Sequence, residues 1–126
     1  YIVTPPPAGA AKISIGSLTM TQHLFEVDIH TAHEMLKNGE AVMIDVREPV
    51  EHEDMRIPGT TLLPLSQFDP ANVPAHKGKK LLVHCASGGR SAKVTERCVL
   101  AGIEAYNVQG GIIAWHDAGY VTETGV

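Results

Sequence analysis

Val83 to Lys93 reads VHCASGGRSAK: an apolar run, a cysteine, two glycines, an arginine and the start of a helical pattern. The residues just before the cysteine, Leu81–His84, lack alternation of polar and apolar side chains, the pattern of a strand buried on both faces. Ser91–Ala101 is expected to be a helix, closed by Gly102 at the position after its last turn. A buried strand feeding a helix through a short loop is the unit of a parallel sheet, whose ligands bind beyond the carboxyl ends of its strands. Cys85 is expected at such an end.

The loop's composition says what it is built to hold. If residues 86–91 wrap around the Cys85 thiol, the backbone N–H groups of Ala86, Ser87, Gly88, Gly89, Arg90 and Ser91 converge on it as an anion nest. Gly88 and Gly89 permit the positive φ angles such a wrap demands. The helix N-terminus near Ser91 and the charge of Arg90 favour thiolate over thiol. A cysteine whose glycines serve only a tight turn would explain neither Arg90 nor the absence of any large side chain. Cys98 is the contrast. It lies four residues after Val94, on the helix face that carries Ala101, and is expected to be core.

Outward from the loop, strands and helices alternate. Leu24–Ile29 is a short strand or extended entry. Thr31 is expected to cap a helix through Asn38, with Glu34 completing a capping box and Gly39 as its stop. Ala41–Asp45 is a strand ending in a carboxylate, and Pro49 opens a helix to Asp54. Thr60–Leu65 is extended and 66–80 mainly loop. Glu104–Val108 is a strand, and Gly111–Ala118 a last short helix. The alternation predicts an α/β fold, a parallel sheet with helices on both faces.

The 126 residues fit one domain with one core; 44% are apolar and 19% charged, as in ordinary globular proteins. A net charge of −4 disfavours nucleic acid and anionic membranes as partners. No apolar run approaches a bilayer span. Two cysteines make no disulfide framework; on one rigid segment their spacing is about 15–20 Å, too long for a bridge. Free thiols point to a reducing compartment, the cytoplasm. Residues 1–19, with three consecutive prolines, read as a tail or remnant, and residues 20–126 as the domain. The seven histidines invite a metal reading, but His30 and His33 share a helix face with no Cys or carboxylate set to complete a site. Trp115 and Ile112 are expected in the core, and Gly110–Gly111 at a strand-to-helix turn.

These motifs resemble those of the rhodanese superfamily. VHCASGGRSA is similar to its C-x-x-G-x-R-S loop, DVREPVEHE (45–53) to its D-V-R-E…E segment, RIPGTTLLPL (56–65) to H-I-P-G-A…P, and NVQGGIIAW (107–115) to G-G-x-x-A-W. The resemblance covers about residues 20–120. It implies a five-stranded parallel sheet flanked by helices, and a sulfurtransferase without cofactor or metal. Cys85 would take the outer sulfur of thiosulfate or a persulfide, hold it in a cradle of Ala86–Ser91 and pass it to cyanide or a thiol; the alternatives are a protein-fed sulfur carrier and a non-catalytic module of the same fold that binds or regulates a partner. It further implies that Arg90 holds a donor's sulfonate, and that Asp45 and Arg47 are structural, with Arg47 paired to an acidic residue such as Glu51. The expected partners are a small-molecule donor and acceptor, or a protein sulfur donor, on a monomer. Related phosphatases of this fold carry five residues between Cys and Arg; here there are four, Ala86 to Gly89. Two positions depart from the family pattern: Arg56 stands for its usual His and His52 for its usual aromatic.

Overall fold

The computed structural model describes residues 25–125. The expected tail over 1–19 and the first residue of the expected Leu24–Ile29 strand lie outside them. Five strands form one sheet: β1 (Glu26–Val27), β2 (Ala41–Asp45), β3 (Thr61–Leu62), β4 (Lys80–His84) and β5 (Ala105–Val108). The order is β1-β5-β4-β2-β3 and every pairing is parallel, as expected. In the register, Asp45 at the end of β2 stands beside His84 at the end of β4, so the loops after both strands open on the same edge.

Among the described residues, four α-helices accompany the sheet: α1 (Ile29–Lys37), α2 (Pro49–Asp54), α3 (Gly89–Leu100) and α4 (Gly111–Asp117). Side-chain alternation along the strands builds two cores. On one face, Met43, Leu82 and Tyr106 pack with Ala32 and Met35 of α1 and with Ile112 and Trp115 of α4. On the other, Ile44, Leu81, Val83 and Ala105 pack against Val94 and Cys98 of α3. Each fully buried Leu, Val or Ile of these layers contributes about 1.5–3 kcal/mol.

One cap differs from expectation. Thr31 does not cap α1; Asp28 does, its carboxylate accepting from the Thr31 amide at 2.7 Å. Starting the helix there buries Ile29, and Asp caps at least as well as Thr. α2 begins at Pro49 as read, with Glu48 and Glu51 exchanging side-chain and backbone hydrogen bonds around it. The expected extended run Thr60–Leu65 narrows to Thr61–Leu62, and single 3-10 turns at Leu65–Gln67 and Pro70–Asn72 punctuate the loop that follows.

Candidate active site

Cys85 is the first residue beyond β4 and is 1% exposed. The chain turns back over it at Gly88, whose φ of +115° is a conformation L side chains rarely adopt. That turn aims the Gly88 N–H at Cys85 Sγ, 3.1 Å away, and brings the buried Ser91 hydroxyl to 3.3 Å. Burial alone would raise the thiol's pKa. The Ser91 hydroxyl and N–H, with the N–H groups of Gly88 and Ser87, outweigh it and hold the pKa below its ordinary value of 9.0. Cys98 has no such donors, and burial pushes its thiol up to about 11. Cys98 thus lies in the core, as its place on the helix face predicts, while Cys85 faces amide and hydroxyl donors.

The carbonyls of Cys85 and Ala86 are held from outside the loop, which turns the Ser87 amide toward the sulfur. The first-turn amides of α4 lack partners inside their own helix. Ile112 N–H donates to Cys85 O at 2.9 Å and Ile113 N–H to Ala86 O at 3.1 Å. In a trans peptide, a carbonyl drawn one way sends the following N–H the other way. Gly111 makes this approach possible: a Cβ there would lie 2.3 Å from Cys85 O and 2.5 Å from Ala86 O. The strand-to-helix turn read at Gly110–Gly111 is thus also part of the site.

Ser91 carries one hydroxyl proton and faces two acceptors, Cys85 Sγ and, at 2.5 Å, Asn107 Oδ1. Asn107 lies on β5, and its Nδ2 donates to Glu26 at 3.4 Å, while Gln109 Nε2 donates to the same carboxylate at 2.8 Å. Glu26 so fixes which end of the Asn107 amide meets Ser91. Neither Asn107 nor Glu26 was singled out by local pattern. They reach the cysteine through sheet pairing between β1 and β5.

Around the loop, four charged groups form two ion pairs that spacing alone does not reveal. Arg47 donates to both Asp45 oxygens, the shortest at 2.7 Å, and to the backbone carbonyls of Glu51 and Met55. Arg47 thus pairs with an acidic residue as expected, but that residue is Asp45 and not the Glu51 carboxylate offered as the example. Asp45 sits two residues away with its side chain inside, and a buried guanidinium takes the nearer buried carboxylate. Burial tends to raise the Asp45 pKa, and the Arg47 hydrogen bonds overcome it. The Glu51 carboxylate instead meets Arg90 in a bidentate pair, 2.7 and 2.8 Å. The structural role read for Asp45 and Arg47 is what their contacts describe: they tie the β2 end to α2. His84 points its Nδ1 at its neighbour's carbonyl, 3.2 Å from Cys85 O, and burial lowers its pKa. Its ring makes no hydrogen bond to the sulfur.

Other candidates fall into the core or the frame. Trp115 is buried and donates to Val121 O at 2.8 Å. His33 stacks on Tyr120 with ring centroids 4.0 Å apart, and His30 hydrogen-bonds the Tyr120 hydroxyl at 2.7 Å. Among the described residues, no group of three or more His, Cys, Asp or Glu is placed to hold a metal ion. Nor is any helix there long and apolar enough to cross a membrane. Arg56 ties its segment to Glu123 through paired backbone hydrogen bonds of 2.8 Å, and His52 lies nearby with its Nε2 buried and without a hydrogen-bond partner.

Comparison with known proteins agrees with this geometry. A family model described as a rhodanese-like domain matches residues 28–118. The chain is 32% identical over 93 residues to an uncharacterized protein of Synechocystis sp., covering 73% of this chain and 52% of that protein. It is 31% identical over 85 residues to the thiosulfate sulfurtransferase GlpE of Coxiella burnetii, covering 67% of this chain and 79% of that one. Among solved structures, a rhodanese-like domain protein of Staphylococcus aureus superposes with a TM-score of 0.69 at 30% identity, over 81% of this chain and 99% of that chain. Several curated relatives are much longer: the chain spans about half of the Synechocystis protein and 19% of an adenylyltransferase/sulfurtransferase of Mycobacterium tuberculosis.

Proposed function

The chain belongs to the rhodanese-like domain family, and from that premise we propose that it is a sulfurtransferase working through a persulfide on Cys85. The observation that carries this reading is the Cys85 sulfur at a strand end, faced by the Gly88 N–H at 3.1 Å and the Ser91 hydroxyl at 3.3 Å, donors that favour thiolate over thiol. The thiolate attacks the outer sulfur of a donor. A bond forms between Cys85 Sγ and that sulfur, the donor's S–S bond breaks, and its electron pair leaves with sulfite (from thiosulfate) or with a thiolate (from a persulfide). Cyanide or a thiolate then attacks the outer sulfur of the persulfide, and the Cys85 thiolate returns.

Charge supports the cycle. Thiolate and deprotonated persulfide each carry one negative charge, so a loop whose Ser87, Gly88 and Ser91 N–H groups favour the one favours the other. With four residues from Ala86 to Gly89 before Arg90, the loop suits one terminal sulfur better than a tetrahedral phosphate. Two unpaired cysteines fit a reducing compartment such as the cytoplasm. The test is intact mass after incubation with thiosulfate or a persulfide and removal of donor without reductant. Wild type should gain one sulfur atom and lose it to cyanide, and Cys85→Ser should gain none. Wild type that gains no sulfur from either donor would refute the proposal.

A further inference from the structure

Arg90 is the cation that the loop offers a donor, and its position five residues after Cys85 suggests a hold on a sulfonate. Its fork is already filled. Nη1 donates to Glu51 Oε1 at 2.7 Å and Nη2 to Oε2 at 2.8 Å, the side-by-side geometry that makes such pairs strong. Glu51 is itself held: its Oε1 also accepts the Glu48 N–H at 2.9 Å as part of the α2 cap. The other arginine of this edge, Arg47, is consumed by Asp45 and two backbone carbonyls.

From this arrangement we infer that Glu51 is a specificity-determining residue: it neutralises Arg90 and turns the site from the dianion thiosulfate toward persulfide donors. The inference rests on the sulfurtransferase reading and names its donor class. A pair about one-third exposed adds little to stability, but stability is not what decides here. A tethered carboxylate competes with a free donor at an effective concentration in the millimolar range or above. Thiosulfate reaching for Arg90 must displace Glu51 and then lie beside the carboxylate it has displaced. A persulfide has no sulfonate to place. Its one ionisable sulfur is the atom transferred, and the amides around Cys85 receive it. When the neutral form reacts, the Cys85 thiolate takes the outer sulfur with its proton and the donor's thiol leaves as thiolate, so charge is conserved. Protonation does not release Arg90 in any ordinary buffer. The Arg90 hydrogen bonds to Glu51 hold its carboxyl at about 2.

Glu51→Gln is the informative change, because the amide oxygen can still accept the Glu48 N–H and keep the cap, while the charge is lost. The measurement is kcat/KM for sulfur transfer to cyanide with two donors, thiosulfate and 2-hydroxyethyl persulfide, in wild type, Glu51→Gln and Glu51→Gln/Arg90→Gln. Wild type should favour the persulfide by about tenfold or more. Glu51→Gln should shift the ratio at least about fivefold toward thiosulfate, mainly through the KM of thiosulfate, and the double variant should lose that gain. A ratio that does not move, or equal loss with both donors, overturns the assignment of Glu51 and leaves the sulfurtransferase reading standing. Wild type that turns over neither donor, and gains no sulfur on Cys85, overturns both.

Discussion

One hydroxyl and a few backbone amides separate an ordinary buried cysteine from the one at position 85. Cys85 and Cys98 are both buried, yet their thiols move in opposite directions from the common value of 9.0. Burial acts on both; only Cys85 has Ser91 and the loop amides against it. Alkylation followed by peptide mapping should label Cys85 with a midpoint below pH 9.0, while Cys98 stays unlabelled until about pH 11. Ser91→Ala should slow Cys85 labelling at neutral pH and lower kcat/KM about tenfold, as expected for losing a hydrogen bond to a charged group. An unchanged labelling midpoint in that variant would show that the amides suffice. Most of this was legible in VHCASGGRSAK, since every donor lies within six residues of the sulfur. Asn107 was not, because it reaches Ser91 from another strand.

At the scale of elements, α4 does more than cover the sheet. Its first turn holds the carbonyls of Cys85 and Ala86, and Gly111 sits in the contact with φ +55°. Gly111→Ala would combine a Cβ 2.3 Å from a carbonyl oxygen with a strained backbone, at a cost of about 3 kcal/mol. Gly39→Ala also has positive φ but nothing within 4 Å, so it should cost only about 1–2 kcal/mol. Urea unfolding of both variants checks the difference; similar losses would mean that the α4–loop contact is looser than drawn. The strands and α2 to α4 were readable from apolar runs, Pro49 and the glycines. The N-cap of α1 was misread because Asp28 and Thr31 both offer a capping oxygen and local pattern does not rank them. The partners of Arg47 and Arg90 were hidden for a different reason. Glu51 lies near both, and only three-dimensional placement shows that it gives Arg47 a backbone carbonyl and Arg90 its carboxylate.

Across the molecule, the sheet order places β4 at the centre, with β2 and β5 on either side and two-residue strands at both edges. Amide hydrogen exchange should be slowest for Leu81–Val83, which lie between two paired strands, and fastest within the sheet at Thr61–Leu62. Uniform protection across the five strands would argue for a single opening unit. The same order has a consequence in time. The ribosome releases Cys85 well before Asn107, Gly111 and Ile113, which orient its hydroxyl donor and draw aside its carbonyls. Until that stretch emerges and docks, Ser91 lacks its Asn107 partner and the carbonyls of Cys85 and Ala86 lack the α4 amides. The surroundings that favour the thiolate are therefore finished only once β5 and α4 have docked.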